Sequence, residues 1–266
     1  MIFLDLPPEW WRQPRLKPFR RAMAAALKHE FGNHDLWAIK DPRLCRLLPW
    51  WQGLLSESRW RAVYALLIRQ PLEVAASLQK RDGFSEQRGV LLWVDYTLQS
   101  LFWTQGYPRV LVTFDELMTG PAETATKILE LVEPKQRPLP ASRYPELLQG
   151  FLDPGLRHYQ RDDRGVDSAK GNEGLIEGAC ELYRRLVDWN LGHAPAIESN
   201  ELGRWMAWRS RMAAANAAIL YEQLQATMRA YGAAELARRQ MYRSASWRMG
   251  KPIRVAGRLM NRIKER

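Results

Sequence analysis

Cysteine is scarce: Cys45 and Cys180 are the only two in 266 residues. Two thiols make no disulfide framework and no cysteine-built metal site, and they suit a reducing compartment. Long apolar runs are missing too, since none approaches the roughly 20 residues that span a bilayer. The opening Met1-Ile-Phe-Leu-Asp-Leu-Pro-Pro-Glu-Trp10 lacks the basic n-region and cleavage site of a signal peptide, so a cytoplasmic location is expected. Acids are rare at the other end. From Arg238 onward ten basic residues face one acid, Glu265, which puts +9 of the chain's net +11 in that tail. The basic balance therefore belongs to the tail and gives no reason to assign nucleic acid to the body. No Gly-x-x-x-x-Gly-Lys-Ser/Thr is present, which argues against a nucleotide kinase of the P-loop type.

Hydrophobic content of 46%, with 12 Trp, is enough for a core rich in large residues. Leu16, Phe19, Met23, Leu27 and Phe31 recur at three- and four-residue steps and predict an amphipathic helix facing inward, ending near Gly32-Asn33. Leu36 to Lys40 is a short apolar run fit for a buried strand, stopped by Asp41-Pro42. A second helix is expected over 44–55. Ala62 to Ile68 is nearly all apolar, which predicts a strand buried on both faces, as in a parallel sheet. Pro71 suits the first turn of the next helix and Gly83 its end. A helix from about Glu86 to Gln105 has Leu91, Val94, Leu98 and Leu101 inward, and a third strand covers 109–114 before helices near 115–118 and 121–132. Strands alternating with helices predict an α/β fold with a mostly parallel sheet.

Beyond Pro134 the pattern loosens. Residues 160–174 read as a polar lid candidate, 174–190 as a helix, and 199–239 as a long helix or hairpin with coiled-coil character. In the tail, Ile253, Ala256, Met260 and Ile263 share one helical face and Arg254, Arg258, Arg262 and Arg266 another. That is a basic amphipathic helix, a candidate for an anionic membrane surface or a partner. The expected division is 1–195 for the α/β body, 196–241 for the long helix and 242–266 for the basic helix.

Ligands of parallel α/β sheets bind beyond the carboxyl ends of the strands. Two strand ends here carry polar groups: Lys40-Asp41-Pro42-Arg43, and Arg69-Gln70-Pro71 with Ser77 in the helix that follows. Arg69 directly follows a buried apolar run, so its stem is anchored and its guanidinium aimed, which suits bidentate binding of a phosphate. The alternative is that Arg69 pairs with Glu73 or Asp82 and that Ser77 is a surface hydroxyl. Asp41 before a proline is a turn former as readily as a base. Arg43 is a candidate anion ligand or a partner of Asp41. His158 reads as a surface histidine and Asp115-Glu116 as a helix cap. Trp10-Trp11 and Trp50-Trp51 read as core, with saccharide stacking as the other possibility.

The segment Leu66-Leu-Ile-Arg69-Gln-Pro71-Leu-Glu-Val-Ala-Ala-Ser77-Leu resembles the part of PAPS-dependent sulfotransferases that binds the 3′-phosphate of the donor nucleotide. Ile39-Lys40-Asp41-Pro42-Arg43 resembles the strand-end Lys segment of bacterial carbohydrate-type members, and Lys80 to Gly83, Leu92-Trp93 and Pro108 to Leu117 follow in that group's order. The resemblance spans about residues 10–160 and implies an incomplete P-loop-like three-layer fold. It implies 3′-phosphoadenosine 5′-phosphosulfate (PAPS) as donor, a carbohydrate hydroxyl as acceptor and no metal. Its donor-binding residues would be Arg69 and Ser77, with Arg43 and Arg157 as further candidates, Lys40 stabilising the sulfuryl group and Asp41 as base. The family's Gly-x-x-Arg-Ser-Gly-Thr-like loop, whose backbone N–H groups cradle the 5′-phosphosulfate, has no counterpart between Met1 and Leu36, where Gly32 is the only glycine. A chain starting late, with impaired transfer, is the expectation. Tyr242 to Arg254 resembles a linker of multidomain bacterial surface-polysaccharide enzymes. The competing expectation is a non-catalytic interaction module of a polysaccharide-assembly protein.

Overall fold

A computed structural model describes residues 6–7, 9–58, 60–132 and 173–217, with a few further positions between 221 and 236. Arg157, His158, the lid candidate's residues 160–172 and the basic helix of 242–266 lie outside the described residues. The chain divides into a unit of Phe3–Ala214 and a second formed by Ala215–Arg266 with Met1–Ile2.

The larger unit is mostly helical around a small parallel sheet, an α/β arrangement. Two short 3₁₀ turns, Trp10–Arg12 and Pro14–Leu16, lead into α1 (Lys17–Phe31) and then α2 (Leu44–Leu55). Strand β1 (Tyr64–Ile68) is joined to β2 (Arg109–Thr113) through α3 (Pro71–Asp82) and α4 (Glu86–Trp103). After β2 come α5 (Phe114–Thr119), α6 (Pro121–Val132), α7 (Glu173–Asn190) and α8 (Ser199–Ala215). The strands pair parallel from Tyr64 opposite Arg109 to Ile68 opposite Thr113.

The boundaries follow from local chemistry. Gln70 caps α3 by accepting from the Glu73 N–H, Pro71 takes the first turn where no donor is needed, and Gly83 closes the helix at φ 68°. Ser85 caps α4 in the same way, accepting from the Arg88 N–H. Thr113 and Glu116 form a reciprocal capping box at the start of α5.

Helix α4 is the spine of the core. Val90, Leu91, Val94, Leu98 and Leu101 are buried, as are Leu66 and Ile68 of β1, Leu111 and Val112 of β2, and Leu175, Leu182 and Leu186 of α7. All four residues expected to face inward on this helix do so. A buried ionic node joins three helices: Asp95 on α4 is 1% exposed and accepts from Arg209 Nε on α8 at 2.8 Å, while Arg46 Nε on α2 lies 3.7 Å away.

Three expectations fail. Residues 36–40 form no strand. Leu36 and Ile39 are exposed, and Trp37 is instead stacked on Phe31 at 4.7 Å and set edge-on to Trp60 at 5.2 Å. The run is held by aromatic packing rather than by a ladder. Strand β1 is not buried on both faces: Leu66 and Ile68 are covered, but Leu67 is 53% exposed. The sheet has only two strands among the described residues, so the face bearing Ala65 and Leu67 lacks the cover that a wider parallel sheet receives. Phe19 is turned outward at 67% exposure. The inner stripe of α1 runs instead through Met23 and Leu27, with Arg20 reaching Glu57 at 3.3 Å.

In the second unit helical positions recur from 221 to 236, with Tyr221, Met228, Tyr231 and Leu236 exposed and Gln225 Nε2 donating to Tyr221 Oη at 2.8 Å. No helix among the described residues is long and apolar enough to cross a membrane.

Candidate functional site

The last ladder pair of the sheet is Ile68 and Thr113, so Arg69 and Phe114 leave its carboxyl edge side by side. Arg69 is fixed from three directions. Its carbonyl accepts from the Trp93 Nε1 indole at 2.8 Å, its Nε donates to the Glu73 carboxylate at 2.7 Å, and its guanidinium carbon lies 4.4 Å from the centre of the Phe114 ring. Side-chain exposure is 19% for Arg69 and 7% for Glu73, so the pair is largely withdrawn from water. Among the described residues no partner is found for the two terminal nitrogens of Arg69. The guanidinium is thus gripped by one edge and a face, with its Nη pair left to donate.

Ser77 is exposed on α3. It lies one turn beyond Glu73 on the same helix face, about 6 Å along the axis. Folding Arg69 back onto Glu73 therefore brings its guanidinium to within about one turn of the Ser77 hydroxyl. The Glu73 carboxylate works against an anion there, because it already balances the Arg69 charge.

The second strand-end candidate is organised differently. The Asp41 carboxylate accepts from the Arg43 backbone N–H at 2.8 Å and from Arg43 Nε at 2.9 Å. The Arg43 hydrogen bonds hold the Asp41 carboxyl down from 3.8 to about 2. A carboxylate so occupied and so weakly basic is poorly matched to proton abstraction near neutrality. Lys40 is exposed. Among the described residues no hydrogen bond or ion pair connects Lys40, Asp41 or Arg43 to Arg69 or Ser77.

The carboxyl edge holds a further polar group. Glu116 accepts from the Thr113 N–H at 2.7 Å, and Lys127 Nζ sits 3.3 Å from Glu116 and 2.6 Å from the Asn190 amide oxygen. Burial raises the Glu116 carboxyl, but the hydrogen bonds from Thr113 and the Lys127 charge act against it, and the net shift is downward. Glu116 is the cap expected from sequence. Trp93 and Phe114, which hold Arg69 in place, were not singled out as site residues. Trp93 stands 24 positions from Arg69 and reaches it only through the packing of α4. Phe114 reads as the end of a strand and instead opens α5 beneath the guanidinium.

The terminal nitrogens of Arg69 and the exposed Ser77 hydroxyl are donors of the kind that bind a phosphate. No group of three His, Cys, Asp or Glu among the described residues could hold a metal ion. Comparison with protein-family models, with curated proteins and with solved structures finds no match.

Proposed function

We propose that the carboxyl edge of the β1–β2 sheet binds the 3′-phosphate of an adenosine 3′,5′-bisphosphate nucleotide, in a P-loop-like fold of the sulfotransferase kind. The observation that carries this reading is the state of Arg69, gripped at Nε by Glu73 and faced by Phe114 while both terminal nitrogens stay open among the described residues. The ordered motifs from Lys40 to Leu117 supply the choice of nucleotide. In sulfuryl transfer from PAPS, the acceptor hydroxyl oxygen bonds to sulfur as the bridging S–O bond to the 5′-phosphate breaks. The hydroxyl proton passes to a base, and cations stabilise the charge on the leaving phosphate oxygen. Lys40 is the cation proposed for that charge. Asp41 is a weak candidate for the base, because Arg43 occupies it.

Calorimetric titration with adenosine 3′,5′-bisphosphate tests it. The expected result is binding that Arg69→Ala abolishes and that Ser77→Ala weakens at least about tenfold, the effect of one hydrogen bond to a charged group. Absence of binding to the folded full chain would overturn it.

The exposed Tyr221, Met228, Tyr231 and Leu236 favour a second reading for the other unit, an interaction module that covers these side chains with a partner. Deletion of residues 215–266 should then abolish partner association while leaving nucleotide binding intact.

A further inference from the structure

Strand β1 has one edge that bonds to no described residue. On its other edge the Tyr64 N–H donates to the Pro108 carbonyl at 3.0 Å, and the parallel register with β2 runs on from there. In such a ladder alternate residues point their N–H and C=O groups at the neighbouring strand. Tyr64, Leu66 and Ile68 therefore face β2, and Ala65 and Leu67 direct their groups the other way. Among the described residues no hydrogen-bond partner is found for the backbone of Ala65 or Leu67. Both residues are exposed, Leu67 at 53%. Strand β2 is different, because Leu111 is buried and the Thr113 N–H donates to Glu116 at 2.7 Å. Nothing on β1 guards its open edge. Tyr64–Ile68 holds no charged residue and no proline, two features that block strand addition.

We infer that a second copy of this chain pairs with this edge, β1 antiparallel to β1 about a two-fold axis at Leu66. A two-fold contact needs a surface that complements itself, and this edge does. With Leu66 opposite Leu66 of the other copy, Ala65 falls opposite Leu67 and Leu67 opposite Ala65. These are the residues whose groups point outward, so each pair exchanges two N–H···O bonds and the open groups of both residues are satisfied. A large side chain meets a small one twice across the strands. The strands themselves carry no charge to repel one another. The same register sets the two Arg69 six residues apart, about 20 Å, which is beyond the range of repulsion at physiological salt. The product is a continuous four-stranded sheet, β2–β1–β1–β2, with one Arg69 at each end of the central pair.

Sedimentation velocity of the purified full chain, at concentrations up to about 1 mM, is the test. The expected result is a monomer–dimer equilibrium with a dissociation constant on the order of 10–100 µM, weak because so short a contact lies at the small end of interfaces. Leu67→Lys should weaken it about thirtyfold, since a change in one copy acts twice in a two-fold contact. Ala65→Pro should weaken it at least as much by removing two of the four N–H donors, and proline is tolerated on a strand where the N–H faces solvent. Leu67 is exposed, so the thermal melt of Leu67→Lys should match the wild type, and this variant decides the matter even if the proline disturbs the strand. Adding Ala65→Glu to Leu67→Lys sets a carboxylate opposite each introduced ammonium and should bring the dimer back to within about tenfold of the wild type. A chain that stays monomeric throughout overturns the inference and leaves the edge to a strand of another protein. It is also overturned if the wild type dimerises and Leu67→Lys dimerises equally well, which would assign the contact to the exposed side chains between 221 and 236. Failure of the charge-paired variant to regain the dimer would overturn the two-fold register.

Discussion

Arg69 donates from Nε to the Glu73 carboxylate one helical turn away, at 2.7 Å, and both side chains are mostly buried. The pair fixes the guanidinium and also neutralises it. Under the phosphate reading these two effects pull in opposite directions, and Glu73→Gln separates them. The amide oxygen can still accept from Nε, but the competing charge is gone. Nucleotide affinity should rise roughly fivefold, as expected for removing about 1 kcal/mol of like-charge repulsion near a surface. Stability should fall by about 1–3 kcal/mol, because a buried charge-assisted hydrogen bond becomes a neutral one. Calorimetry and urea unfolding on the same variant read the two quantities, and affinity that fell with stability would make Glu73 a positioning residue above all.

Asp41 and Arg43 give a prediction in pH. The folded carboxyl is lowered from 3.8 to about 2, chiefly by the Arg43 hydrogen bonds. A depressed carboxylate stabilises the fold at every pH above its unfolded value. That contribution is lost as pH falls from about 4 through about 2. A carbon-detected NMR titration of the Asp41 carboxyl should show its midpoint near 2. In Arg43→Ala the midpoint should move back toward 3.8. A rate limb with an inflection at about 6–7 that disappeared in Asp41→Asn would contradict the view that this carboxylate is too weak a base.

These two pairs show what a sequence can reveal about such a chain. Arg69 with Glu73, and Asp41 with Arg43, are spaced by four and two residues, so both contacts are legible as local pairs. Strand β1 and the inner face of α4 are legible too, since an apolar run and a helical period each leave a signal. Burial that depends on distant cover is different. The exposure of Leu67 depends on how many strands flank β1, and nothing within Ala62–Ile68 encodes that number. The run at 36–40 suits a strand or a packed coil equally, and the tertiary neighbours Phe31 and Trp60 decide for Trp37. Phe19 satisfies the inward period of α1, yet it is exposed, and no periodicity within α1 encodes that the core ends short of it. Trp93 on Arg69 could not be read at all, because its donor meets the carbonyl only after α3 and α4 pack.

The node around Asp95 lets the cost of a buried charge be measured. Asp95 is bound by Arg209 and approached by Arg46, and it is 1% exposed. Asp95→Ala takes the carboxylate away from the buried Arg209 and the half-buried Arg46 and should cost about 3–5 kcal/mol in urea unfolding. Replacing the three together, Asp95→Leu with Arg209→Met and Arg46→Met, removes every charge of the node and roughly keeps the volume. It should cost less than half as much, because the desolvation penalty disappears with the attraction. Equal losses in the two variants would show that the node stabilises the fold beyond its desolvation cost.

Three glycines in helices separate close packing from helix propensity. A Cβ on Gly89 would lie 2.6 Å from the Ala75 Cα, where α4 crosses α3. Backbone cannot yield there, so Gly89→Ala should lose about 1–3 kcal/mol despite the better helix former. A Cβ on Gly178 would lie 2.3 Å from the Trp208 ring, on α8 against α7. That obstacle is a side chain, so Gly178→Ala should also destabilise, and Trp208→Ala in the same chain should recover most of that loss as a coupling energy in a double-mutant cycle. Gly203, also on α8, has nothing within 4 Å of the position its Cβ would take. There only propensity acts, and Gly203→Ala should stabilise by up to about 1 kcal/mol. Thermal melts of the three single variants therefore divide by sign. A tolerated Gly89→Ala would mean that the α3–α4 crossing is looser than its distance requires, and a destabilised Gly203→Ala that the space beside Gly203 is not open.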